Sequence, residues 1–105
     1  MADFSKIFEQ AQQMQSRMQE MQDSLQKQTV SGAAGGGMVT VEADGKGTVT
    51  RVRIDPAVVQ PTDVEMLEDL VLVAVNDAQK KAADLARTEM SKLTGGLNLP
   101  FKLPF

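Results

Sequence analysis

Cysteine, histidine, tryptophan and tyrosine are all missing from this 105-residue chain. Without Cys and His there is no disulfide framework, no Cys/His zinc site and no thiol or imidazole catalysis. Four phenylalanines are the only aromatics, and Phe4, Phe8, Phe101 and Phe105 all lie close to the ends. No apolar run approaches the roughly 18 residues that a membrane span needs. The opening MADFSKIFEQ has no basic leader followed by a long apolar block, so the expectation is a cytoplasmic protein without a secretory signal or membrane association. Neither sign of charge dominates: 11 Lys and Arg stand against 14 Asp and Glu, a net charge of −3. The length suits one domain and is too short for two.

Proton transfer at neutral pH would fall to carboxylates or lysines, which need a dry pocket to shift their pKa values. The acids are instead spread along the chain, mostly at positions that read as solvated helix faces. The chain reads as a binding protein rather than an enzyme, with no cofactor, metal or small-molecule substrate expected.

The residues present divide the chain into three parts. From about Asp3 to Gln28, Phe4, Ala11, Met18 and Leu25 recur every seven, as do Ile7, Met14, Met21 and Gln28. Interleaved, they step by three and four, the a/d pattern of a helical seam. Two readings follow: an amphipathic helix against its own sheet, or a seam shared with a second helix. Between about 28 and 54 the period changes. Met38–Ala43 (MVTVEA) and Thr48–Ile54 (TVTRVRI) alternate and are β-branched, with Asp44-Gly45-Lys46-Gly47 as a hairpin turn between them. A two-residue turn would pair Val39 with Val52 and Val41 with Thr50 on an apolar face. Met38 with Arg53 and Thr40 with Arg51 would then share the other. Residues 28–32 suggest a short first strand. The glycines are not a phosphate loop, because Gly47 rather than Ser or Thr follows Lys46.

A second helix is predicted over about 63–93. Thr62 and Glu65 have capping-box spacing at its start, and Gly95-Gly96 end it. Its early acids (Asp63, Glu65, Glu68, Asp69) and late bases (Lys80, Lys81, Arg87, Lys92) complement the helix dipole. Within it, Leu70, Val71, Leu72, Val73, Ala74 and Val75 are apolar on every side, and one sheet covers only one side of a helix. That points to a dimer interface at Leu70–Val75. Helices of 26 and 31 residues would be about 39 and 46 Å long, against a radius of gyration near 13 Å for a compact domain of this size. An elongated molecule is expected. The ending, LNLPFKLPF, carries Pro100 and Pro104, which forbid regular helix. It reads as a loosely held tail, or as a docking peptide using Phe101 and Phe105.

The runs AQQMQSRMQEMQ (11–22), GGGMVTVEADGKGTVTRVRIDP (35–56) and EMLEDLVLVAVNDA (65–78) resemble, in this order, the YbaB/EbfC family of bacterial nucleoid-associated proteins. The resemblance implies an α+β fold: an α-β-β-β-α protomer with a small antiparallel sheet and two long helices. It implies a single domain over 1–97 followed by a tail, 98–105. It also implies a tight, tweezer-like homodimer that binds double-stranded DNA on the chromosome, without catalysis or cofactor. Thr40 stands where family members commonly carry Lys, and the N-terminus is nearly free of lysine.

DNA affinity rests on cations that neutralise phosphates. Candidates in the second helix are Lys80, Lys81, Arg87 and Lys92; in the first they are Lys6, Arg17 and Lys27, among glutamines able to bond phosphates or base edges. The rival reading is a protein-interaction module whose Met- and Gln-rich arms clamp a partner protein, with exposed Met14, Met18 and Met21 as its signature.

Overall fold

The computed structural model describes residues 2–94; the tail and the Gly95-Gly96 stop lie outside the described residues. Helix α1 (Ala2–Lys27) leads into strands β1 (Thr29–Ala34), β2 (Val39–Asp44) and β3 (Val49–Ile54), and helix α2 (Val64–Thr94) closes the order. The fold is α+β, α-β-β-β-α. The three strands form an antiparallel sheet in the order β1-β2-β3. The chain is elongated, 73 × 25 × 16 Å with a radius of gyration of 19.7 Å.

The capping residue differs from the expected Thr62. Asp63 directly precedes α2, and its Oδ1 accepts the Met66 N–H at 3.2 Å, so Asp63 holds the first turn instead. The β2–β3 register also differs. Val39 pairs with Ile54 and Val41 with Val52, two residues away from the two-residue-turn pairing. Two single-residue insertions cause this. The loop takes three residues, Gly45 to Gly47, closed by the Asp44 N–H to the Thr48 carbonyl at 2.9 Å, with Gly47 at φ 93°. Thr50 is then the extra residue of a bulge between the Ala43↔Val49 and Glu42↔Arg51 pairs. One insertion alone would turn β3's apolar side chains to the opposite face; the two together restore it.

The core lies where α2 crosses β1 and β2. Val39, Val41 and Ala43 from β2 and Ala74 and Ala78 from α2 are fully buried, and Ala82 nearly so. A helix carrying alanine at every fourth position presents little side chain to the sheet, so the backbones come close. Gly32 of β1 marks the closest approach, for a Cβ there would lie 2.5 Å from the Ala74 carbonyl oxygen.

α1 is held at one end only. Leu25 is buried, and its carbonyl accepts the Gly45 N–H of the hairpin loop at 2.8 Å. Met21 faces Ala83, Ala86, Arg87 and Met90 across a groove of about 320 Å³. Toward the N-terminus the seam loses its cover, and Phe4, Ile7 and Phe8 are exposed.

Candidate nucleic-acid interface

The helical periodicity of α2 sorts its four cations into two pairs. Taking Ala78, which faces the sheet, as zero and turning about 100° per residue, Arg87 lies near 180° and Lys80 near 200°. Both point directly away from the sheet. Lys81 and Lys92 lie near −60° and −40°, flanking the side that packs on it.

The cations also differ in their partners. Lys81 Nζ lies 3.2 Å from Asp77 Oδ2 and donates to the Ser31 carbonyl oxygen at 2.9 Å. Asp77 Oδ2 in turn accepts the Ala33 N–H at 3.1 Å. Ser31 and Ala33 present these groups along the edge of β1 that no strand covers among the described residues, where β1 pairs with β2 alone. Asp77 and Lys81 therefore close the sheet edge with side chains, a device that blocks pairing with a foreign strand. The Ala33 N–H, first, and then the Lys81 ammonium hold the Asp77 carboxyl below its ordinary value of 3.8. Lys81 thus has a structural role beside any phosphate contact.

Arg87 pairs with Asp84 at 3.3 Å, and Lys92 with Glu89 at 3.5 Å. Lys80 makes no ion pair with the described residues. Solvent-exposed pairs of this kind contribute about 0–1 kcal/mol, so a phosphate oxygen can displace the carboxylate at small cost. On α1, Lys6, Arg17 and Lys27 are exposed. Arg17 shares an open face with Glu9, Gln12, Gln13, Ser16 and Glu20. The structure does not gather these seven cations into one patch within a single chain: Lys81 is at the β1 edge, Lys80 and Arg87 face outward, and the α1 cations spread along a projecting helix.

Arg51 and Arg53 stand outside the helix-based candidates. They sit two residues apart on β3, both exposed, paired across to Glu42 and Thr40 on the sheet face opposite α2. The signal for them is the alternation of TVTRVRI, which puts both on one face. Of the three methionines of the α1 seam, Met14 and Met21 are half-buried and Met18 is exposed.

A second open surface is apolar. α2 covers β1 and β2 but leaves Val49, Val52 and Ile54 of β3 exposed, although pairing puts them on the same face as the buried Val39, Val41 and Ala43. Of the six residues Leu70–Val75, Ala74 belongs to the chain's own core and Leu70, Val71 and Val75 are half-buried against it. Leu72 and Val73 remain 58% and 55% exposed. Among the described residues no helix is long and apolar enough to cross a membrane.

Comparison with known proteins bears on these surfaces. The chain is 53% identical over 103 residues to a nucleoid-associated protein of Gemmatimonas aurantiaca, covering 98% of this chain and 99% of that one. It is 50% identical over 107 residues to a nucleoid-associated protein of Granulibacter bethesdensis, with both chains fully covered. An uncharacterised Helicobacter pylori protein of known crystal structure shares the fold, with a TM-score of 0.80 at 22% identity over 88% of this chain and 97% of that one. Residues 1–97 match the profile of the YbaB/EbfC DNA-binding family, and the chain belongs to that family.

Proposed function

We propose that this protein binds double-stranded DNA as a homodimer, mainly through backbone phosphates, and serves chromosome organisation or expression on the bacterial nucleoid without catalysing a reaction. The observation that carries this reading is the family match across residues 1–97, joined by near-full-length relatives named as nucleoid-associated proteins. Exposed apolar side chains on β3 and α2 support the homodimer. Val49, Val52 and Ile54 of β3 and Leu72 and Val73 of α2 are all exposed, and large apolar side chains left open to this extent favour an interaction site. A second copy related by a two-fold axis would bury the same residues from both chains.

Lys80 and Arg87 are the foremost contacts, since both point away from the sheet and neither ties the fold together. A net charge of −3 makes a local patch necessary, and pairing the subunits doubles it. The alternative, a clamp on a partner protein through the methionines of α1, has less support because Met14 and Met21 are half-buried.

The test is a titration of duplex DNA between about 50 and 200 mM salt, where log affinity falls with a slope near −0.9 per phosphate neutralised. Lys80→Glu with Arg87→Glu removes four cations from a dimer and should flatten the slope by up to about 3.6 while weakening binding at every salt concentration. This pair is a cleaner probe than all four cations of α2, because Lys81 also closes the β1 edge. Unchanged affinity and slope would refute the contact assignment. No binding by the wild type at low salt would refute the DNA reading and leave the protein clamp.

A further inference from the structure

The sheet has a second face, turned away from α2. Cross-strand pairing sets Ala33, Thr40 and Arg53 in one row on it, and Ser31, Glu42 and Arg51 in the next. Arg51 and Arg53 are exposed, and apart from Glu42 their row neighbours are small. The two guanidiniums therefore stand above a nearly flat surface. Neither makes a side-chain hydrogen bond or ion pair among the described residues, although Glu42 stands across from Arg51. Lys81, Arg87 and Lys92, by contrast, each lie within 3.5 Å of a carboxylate oxygen.

The Arg53 row carries no acid. Arg53 also borders an open hollow of about 610 Å³ with Gly37, Thr40 and Pro56. Asp55 lies on the rim of that hollow, with its Oδ1 accepting the Ala57 N–H at 2.9 Å. At the same end a Cβ on Gly36 or Gly37 would meet nothing within 4 Å, so this end of the sheet is open to a large partner. Alternate strand residues are about 6.8 Å apart, and phosphates recur about every 3.4 Å of axis along one strand of duplex DNA. Two neighbouring guanidiniums can thus each take a phosphate of the same strand, and each offers a planar fork that binds phosphate bidentately.

We propose that this outer sheet face is a second phosphate-binding surface of the protein, with Arg53 and Arg51 each contacting the backbone of duplex DNA. The charge complementarity of two uncommitted guanidiniums on a flat, open face selects this partner. The proposal rests on the DNA reading above and adds a surface to it. Lys80 and Arg87 point away from the sheet on the far side of α2, so helix and sheet both lie between the two sets of cations. Charges on an edge strand also deter pairing with foreign strands, but that role leaves DNA affinity and its salt dependence untouched.

Duplex titrations between about 50 and 200 mM salt test it, with Arg51→Gln and Arg53→Gln made singly and together. The Gln pair removes four cations from a dimer and should flatten the slope of log affinity by up to about 3.6, with binding at the lowest salt weakened at least about tenfold. Arg51→Lys with Arg53→Lys keeps the charge and should keep most of the slope. Arg53→Gln alone should cost more than Arg51→Gln, because Glu42 offsets Arg51. Added to Lys80→Glu with Arg87→Glu, the Gln pair should flatten the slope further, as distant sites do. Thermal melting and sedimentation of the Gln pair should match wild type. Wild type that binds DNA, with the Gln pair unchanged in affinity and slope, would overturn the proposal and leave the DNA reading standing. No binding by wild type at low salt would overturn both. A Gln pair that dissociates to monomers would give this face to a second copy and overturn the proposal as well.

Discussion

Gly32→Ala tests how closely α2 rests on the sheet. The added methyl would fall on the backbone nitrogen of Ala78, 2.5 Å from the Ala74 carbonyl oxygen and 2.8 Å from the Ala78 Cα. All three are main-chain atoms inside a hydrogen-bonded helix, so no rotamer change relieves the clash. Restoring ordinary contact requires α2 to lift by about 1 Å, and a gap of 0.5–1 Å already forfeits about a quarter to a half of each dispersion contact. The contacts weakened are those of Ala74 and Ala78 with Val39 and Val41, which form the centre of the core. Overpacking of this kind costs about 1–3 kcal/mol and sometimes more. We expect about 3 kcal/mol because the obstruction is backbone on both sides. For a domain of this size that lowers Tm by about 12–24 °C. Thermal unfolding followed by circular dichroism, at one fixed protein concentration, measures it. Gly36→Ala is the control: its Cβ meets nothing within 4 Å, and only the strain of φ 67°, about 1 kcal/mol, should appear. Ala78→Gly should not rescue Gly32→Ala, since the clash is not with the Ala78 methyl. A Gly32→Ala protein melting within about 2 °C of wild type would refute the close-packing account.

Val73→Asp would place a charge on the exposed apolar side of α2, and an unpaired carboxylate in a dimer interface costs several kcal/mol; sedimentation should show dissociation to monomer, and an unaltered dimer would move the interface elsewhere. Asp77 titrates below its ordinary value, so its charged form is favoured by folding. Its contribution is present above the unfolded carboxylate's pKa and is lost as pH falls through the lower folded one. The Tm of wild type should therefore exceed that of Asp77→Asn at pH 7 and converge with it as pH drops below 3.8; parallel curves would refute the edge-closing role.

The local pattern alone determined most of the elements. Heptad spacing from Phe4 to Leu25, alternation in MVTVEA and TVTRVRI, and the acid-to-base order along 63–92 each report a backbone period, and a period is a property of neighbours in sequence. The run LVLVAV also announced, without any structure, that one sheet could not cover it, and Leu72 and Val73 are indeed left open by the chain's own sheet. What tertiary structure decided is everything set by the distance between elements. The β2–β3 register depended on two single-residue insertions, Gly47 in the loop and Thr50 in the bulge, whose effects cancel in facing but not in pairing. Lys80 and Lys81 are adjacent in sequence and alike in chemistry, yet Lys80 points to solvent while Lys81 closes the β1 edge with Asp77. The reason is that the packing of α2 on the sheet brings Asp77 and Lys81 beside Ser31 and Ala33, and no local pattern reports a distance between elements so far apart in sequence.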